Sequence, residues 1–218
     1  MFTGIVEATG EIGEVTPQGG ACILKLFSSD VNLEQARLGD SIAVDGVCLT
    51  ATRIAADYFC ADVSDETLRC TTLGRLRVGS RVNLEKAVTP STPLGGHFVT
   101  GHVDGVGEVV SRSPTGGSER WRLRVPKGLE KYVAVKGSIA VAGVSLTVNH
   151  VDGCELELNL IPHTLSATNL GGLRGGDPVN IEVDLIARYV ERLLSCQALG
   201  DPAGLTMDDL RRAGFADG

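Results

Sequence analysis

Six cysteines occur in 218 residues (Cys22, Cys48, Cys60, Cys70, Cys154 and Cys196), with no CxxC pair and no Cys/His cluster of metal-binding spacing. Neither a disulfide framework nor a zinc site is expected, and no metal is assigned. No uncharged apolar run approaches the roughly 20 residues of a membrane helix. The opening MFTGIVEATGEIGEV has no basic n-region and no long apolar h-region. A soluble, cytoplasmic protein is the expectation, with no membrane partner. The 20 Lys and Arg are outnumbered by 27 Asp and Glu, for a formal net charge of -7, and form no basic stripe. Nucleic acid is therefore an unexpected partner. Helical periodicity is nearly absent before residue 186, which leaves strands as the material of the fold.

What is present is a duplication. Gly4 recurs as Gly101, Ser41 as Ser138, Thr50 as Thr147, Thr67 as Thr164 and Glu85 as Glu182, each pair separated by 97 positions with no gap. Between SIAVDGVCLT (Ser41 to Thr50) and SIAVAGVSLT (Ser138 to Thr147), eight of ten positions match. Such a period exceeds the roughly 20 to 50 residues of a solenoid or propeller unit. Each copy should therefore have its own core and its own version of any pocket.

Each repeat carries about six short V/I/L/T-rich runs broken by turn residues, 28 Gly and 8 Pro across the chain. Closure removes sheet edges, so the expected class is all-β: two tandem six-stranded Greek-key barrels related by duplication, plus a C-terminal α-helix. In the run from Glu119 to Val125, Arg120, Arg122 and Arg124 alternate with Trp121, Leu123 and Val125, which reads as a half-buried strand with a solvated basic face. TPSTPLGG, Thr89 to Gly96, is the natural linker. Ile186, Val190, Leu193, Leu194 and Ala198 then recur at helical spacing. That stripe has no counterpart after the first repeat, so it either lids one barrel or meets copies of itself. In the tail, Thr206 with Asp209 resembles a capping box, with Leu205 and Leu210 as its staple.

Where the copies differ inside matched blocks, they have different tasks. Ile5 answers to His102, Gly39 to Lys136, Asp45 to Ala142, Cys48 to Ser145, Glu66 to His163 and Ala87 to Asp184. Titratable and nucleophilic groups are what changed, as in equivalent pockets of which one holds an electron-poor partner and the other a partner that loses a proton. Each residue has a plainer reading beside this one. Cys48 could be a small buried hydrophobe, Thr50 and Thr147 β-branched strand residues, and His102 a satisfied imidazole. His97 and His150 stand in no motif and are assigned to structure.

MFTGIVE, VDGVCLT, PLGGHFVTGHVDG, AGVSLTV and LIPHTLSATNLG together closely resemble the riboflavin synthase family over about residues 1 to 190. The resemblance implies barrels at 1–97 and 98–187, each binding one lumazine, and a trimerisation helix and tail at 188–218. It implies dismutation of two 6,7-dimethyl-8-ribityllumazine molecules into riboflavin and 5-amino-6-ribitylaminouracil, by transfer of a four-carbon unit without a cofactor. Carried over, the amino-terminal pocket would use Gly4, Ile5, Val6, Cys48, Leu49, Thr50, Asp62, Val63, Ser64, Asp65, Glu66 and Thr67. The carboxy-terminal pocket would use Gly101, His102, Val103, Ser145, Leu146, Thr147, Asn159, Leu160, Ile161, Pro162, His163 and Thr164, with Lys136 reaching across from a neighbour. Catalysis would fall to Ser41, Cys48, His102, Ser145, Thr147 and Asp184. The resemblance also implies a homotrimer, with lumazine synthase a further candidate partner. The rivals are a non-catalytic lumazine- or flavin-binding antenna protein, which shares the duplicated barrel, and a flavin-binding reductase domain. The latter ranks low because no GxGxxG opens a helix after a strand.

Overall fold

A computed structural model describes residues 1–28, 31, 33, 36–199 and 211–212. The tail signals at Thr206, Asp209, Leu205 and Leu210 lie outside the described residues, as does the side chain of Ala198. The first repeat forms β1 (Ala8–Gln18), β2 (Ala21–Phe27), β3 (Ser41–Val44), β4 (Val47–Ile54), β5 (Tyr58–Val63), α1 (Asp65–Cys70) and β6 (Arg81–Lys86). The second forms β7 (Gly105–Thr115), β8 (Ser118–Arg124), β9 (Ser138–Val141), β10 (Val144–Asp152), β11 (Glu155–Leu160), α2 (Pro162–Ala167) and β12 (Pro178–Val183). Each set closes into an antiparallel barrel, in the order β1-β2-β5-β4-β3-β6 and its counterpart β7-β8-β11-β10-β9-β12. β3, β4 and β5 follow as a meander and β6 returns beside β3, which is the Greek key. Helix α3 (Leu185–Leu199) follows. No described helix is long and apolar enough to cross a membrane.

Alternation builds each core. On β2, Cys22, Leu24 and Leu26 point inward; on β8, Trp121 and Leu123 do, both fully buried. The three arginines of β8 face outward and pair with Glu155, Glu157 and Glu108 across the sheet. Closure by six strands buries these inward residues without a large aromatic core: among the described residues the fully buried rings are Phe59 in the first barrel, Trp121 in the second and Phe2, which packs with Val99.

The barrels meet along a pseudo-twofold seam at which residues touch their own repeat equivalents. Phe2 N–H donates to Val99 O (2.7 Å) and Val99 N–H to Phe2 O (3.1 Å). At the tips of the β3–β4 and β9–β10 hairpins, Gly46 and Gly143 approach so closely that a Cβ on either would stand 2.7 Å from the other's backbone nitrogen. Two asparagines clamp the seam reciprocally. Asn83 Nδ2 donates to Ala142 O and Asn180 Nδ2 to Asp45 O, both 2.9 Å. Their Oδ1 atoms accept from Asn169 N and Thr72 N, both 2.7 Å. Asp45 breaks the symmetry: it is buried, and its Oδ1 accepts from Asn83 N–H (2.7 Å) and Asn169 Nδ2 (2.9 Å), whereas its counterpart is Ala142.

Burial pushes the Asp45 carboxyl up to about 7 from 3.8, against the pull of those hydrogen bonds. The folded chain then holds this proton more tightly than the unfolded one, so stability falls as pH climbs from about 4 to about 7 and levels off above, by at most about 4 kcal/mol. Asp45→Asn, which retains an acceptor for both donors, is expected to raise the unfolding free energy more at pH 8 than at pH 5 in urea titrations; an equal change at both would show that Asp45 stays charged throughout. Gly46→Ala meets backbone, while Gly79, also at left-handed φ (+87°), has nothing within 4 Å of its would-be Cβ. Gly79→Ala should therefore cost about 1 kcal/mol for backbone strain alone, and Gly46→Ala at least twice that; equal losses would mean the hairpins part freely.

Candidate active site

Each repeat opens on a Thr-Gly loop held by a buried glutamate of its own last strand. Glu85 on β6 accepts from Thr3 N (2.6 Å), Thr3 Oγ1 (2.8 Å) and Gly4 N (3.1 Å). Glu182 on β12 accepts from Thr100 N (2.6 Å), Thr100 Oγ1 (2.8 Å) and Gly101 N (3.0 Å). Burial raises both carboxyls and these donors pull the other way. The glutamates were visible in the sequence as a repeated pair within VNLE and VNIE, but nothing there revealed that they fasten these loops.

The loops then cross the seam. Gly4 O accepts from Ser145 N–H (2.8 Å) and Gly101 O from Cys48 N–H (2.9 Å). Val6 packs on the core of the second barrel and Val103 on that of the first. The contacts of the two loops therefore differ from the grouping expected from the sequence. Gly4, Ile5 and Val6 lie against Ser145, Leu146 and Thr147, and Gly101, His102 and Val103 against Cys48, Leu49 and Thr50. The physical reason is the seam itself, since each loop is tied down on one barrel and can satisfy its carbonyl only on the other. Both glycines have left-handed φ (+75° and +82°), and a Cβ would stand 2.6 Å from Ser145 Cβ and 2.5 Å from Cys48 Cβ.

The remaining segments arrive by strand divergence. β10 and β11 are paired from Val148↔Leu158 onward, and β4 and β5 from Ala51↔Ala61 onward. Ahead of those pairs β10 and β11, and likewise β4 and β5, are no longer paired, so Ser145 to Thr147 and Asn159 to Thr164 lie at one strand divergence, and Cys48 to Thr50 and Asp62 to Thr67 at the other. On the latter side Ser64 caps α1, accepting from Thr67 N–H (3.2 Å), and Glu66 is engaged by Arg69 and by Cys70 Sγ. On the former, Ile161 precedes α2 without a side-chain cap, and Asn159 Oδ1 accepts from Ser118 Oγ (2.9 Å). Lys136, at φ +68°, donates its backbone N–H to Val148 O (2.7 Å), in the middle of β10, and its Nζ reaches Asn149 Oδ1 (3.5 Å). Ser41 pairs with Thr50 across β3–β4 and lines a cavity of about 220 Å³ with Lys86 and Val88. A second cavity, of about 670 Å³, opens beside Pro162 and Leu165, but its lining contains none of the β10 residues.

His97, which the sequence assigned to structure, stands against Ser145. Its Nδ1 is 2.7 Å from Ser145 Oγ and its backbone N–H donates to Thr3 O (3.0 Å). Burial lowers its basicity, and the carboxylate of Asp184, just beyond β12, opposes that. His102 is exposed beside Glu182. Only tertiary contact across 48 positions could disclose the His97–Ser145 pair, because no repeat partner marks it.

The family model for the lumazine binding domain matches residues 3–87 and again 100–184. A riboflavin synthase of Photobacterium phosphoreum is 45% identical over 216 residues, covering 99% of each chain. One of Mycobacterium bovis is 48% identical over 202 residues, covering 89% of this chain and 98% of its own. Crystal structures of LumP complexed with riboflavin (28% identity, TM-score 0.78) and with 6,7-dimethyl-8-ribityllumazine (27%, 0.75) each match over 84% of this chain and 99% of theirs. With both barrels matched at the offset that the seam displays, and synthases aligned end to end, the chain belongs to the riboflavin synthase family of lumazine-binding-domain proteins.

Proposed function

We propose that this chain is a riboflavin synthase that dismutates two molecules of 6,7-dimethyl-8-ribityllumazine into riboflavin and 5-amino-6-ribitylaminouracil. The observation that carries the reading is a pair of equivalent loop crossings with the same backbone and unequal side chains: Gly4 against Ser145, and Gly101 against Cys48. A dismutation asks for just that, one substrate in two roles. Loop and strand-end N–H and C=O groups suit the edge of a heterocycle, and the hydroxyls of Ser145, Thr147, Thr50 and Thr67 with Asn159 suit a ribityl chain. Residues 1–97 and 98–187 supply one lumazine site each, with the opening loops exchanged. A binding-only role is the second reading, favoured by the LumP structures, but those are far less similar in sequence than the synthases.

Holding two rings together contributes as much as about 7 to 11 kcal/mol of effective molarity. A single positioned acid or base contributes about 10² to 10⁴-fold. Single changes at Ser41, Cys48 or His102 should therefore slow the reaction, while the meeting of two clefts is indispensable. We place that meeting between subunits of a cytoplasmic homotrimer, in which the carboxy-terminal cleft of one chain faces the amino-terminal cleft of the next and Lys136 reaches across. Ile186, Tyr189, Val190, Leu193 and Leu194 are exposed on α3 and are the surface through which copies associate. Lumazine synthase is a candidate partner.

Purified chain mixed with the lumazine should turn it to riboflavin and the uracil in equal amounts, read by absorbance and chromatography; tight lumazine binding without product would establish the antenna reading instead. A chain ending at Ala187 should sediment as a monomer and lose most turnover, and a truncated chain that remained trimeric would remove α3 from assembly.

A further inference from the structure

Ser145 and Cys48 occupy equivalent positions, each donating its backbone N–H to the crossing loop, yet their side chains are served differently. Among the described residues Cys48 Sγ has no hydrogen bond, whereas Ser145 Oγ meets the imidazole of His97 at 2.7 Å. The approach is built into the chain. A Cβ on Gly96 would stand 2.2 Å from Thr3 O and 3.0 Å from Ser145 Oγ, so the glycine before His97 lets the segment thread between them. His97 N–H then locks onto Thr3 O, and Thr3 is itself held by Glu85. His97 is only 8% exposed, and its Nε2 is buried without a partner. A buried ring nitrogen left unsatisfied is costly unless a bound molecule completes it, and this one belongs to a ring that touches the hydroxyl on the cleft wall.

We propose that Ser145 Oγ is the nucleophile that adds to C7 of the lumazine held at the carboxy-terminal site, and that His97 is the general base that orients this hydroxyl and takes its proton. The Oγ–C7 bond forms, the electron pair of the C6=C7 double bond moves through N5 into the pyrimidine ring, and the hydroxyl proton passes to His97 Nδ1. Collapse of the adduct returns the pair, breaks the Oγ–C7 bond and takes the proton back, so no outside oxidant, reductant or co-reactant is needed. This rests on the synthase reading and deepens it. The carboxy-terminal cleft becomes the acceptor side, and the cleft of Cys48 holds the molecule that loses a C7-methyl proton.

The groups that face His97 are Ser145 from β10, the Thr3 carbonyl from the opening loop and Asp184 from the end of β12. Burial makes the imidazole harder to protonate, and the Asp184 carboxylate opposes that and stabilises the imidazolium formed in the step.

The test is steady-state kinetics on the full-length protein. His97→Gln keeps a hydrogen bond to Ser145 but cannot take its proton. It should lower kcat about 10²-fold with KM changed less than threefold, and it should erase the acid limb of the wild-type kcat profile. Ser145→Ala should match it, and the double variant should be no worse than either alone, as residues acting as a unit behave. Full kcat with an unchanged pH profile in His97→Gln would overturn the proposal, as would additive losses in the double variant. Should these variants fail to fold, histidine-labelled wild type decides by NMR. The His97 ring should titrate only at acid pH and shift on adding an unreactive lumazine analogue; no response to the analogue would overturn the proposal. Wild-type protein that makes no riboflavin would instead sink the synthase reading.

Discussion

Gly46 against Gly143 is the contact on which the remaining architecture depends. Two hairpin tips can meet backbone to backbone only where neither carries a side chain, and because the tips are repeat equivalents, their meeting creates a twofold relation between the barrels. Phe2 against Val99 continues the axis, and the reciprocal clamps of Asn83 and Asn180 extend it as hydrogen bonds to buried carbonyls that would otherwise be orphaned. Barrel closure is local to each repeat, but the relation between repeats is decided along this line.

The seam also explains the construction of the clefts. Glu85 and Glu182 are kept buried by three donors each, and each thereby fastens a loop whose carbonyl is satisfied on the opposite barrel. Neither barrel completes its own cleft. A symmetric frame made in this way presents the same backbone at both crossings, where the two copies differ in side chain at Cys48 and Ser145, Ile5 and His102, and Ala87 and Asp184. The asymmetry at Asp45 and Ala142 serves another purpose. It places an ionisable group within the clamp and ties the firmness of the barrel contact to pH.

The duplication, the six strands of each repeat, the outward arginines of β8 and the amphipathic period of α3 were all legible in the chain, because alternation and repetition are properties of neighbouring residues. The candidate pocket segments, carried over from the family resemblance, stand in the sequence as blocks matched at an offset of 97. Which segment joins which cleft was not legible. Matching by position assigns Gly4 to its own repeat, and nothing in a linear offset distinguishes a loop that stays from one that crosses. His97 was hidden for a related reason: it has no repeat partner to mark it, and its tie to Ser145 spans 48 positions.

The amino-acid sequence by itself determined two like barrels, with glycines where chains must pass closely and polar differences at matched positions. Tertiary structure alone decided the exchange of the opening loops and the meeting of imidazole with hydroxyl. Strand periodicity is set by residues adjacent along the chain, whereas these contacts arise only once two closed barrels are pressed together and each buried N–H and C=O must find its partner across the gap.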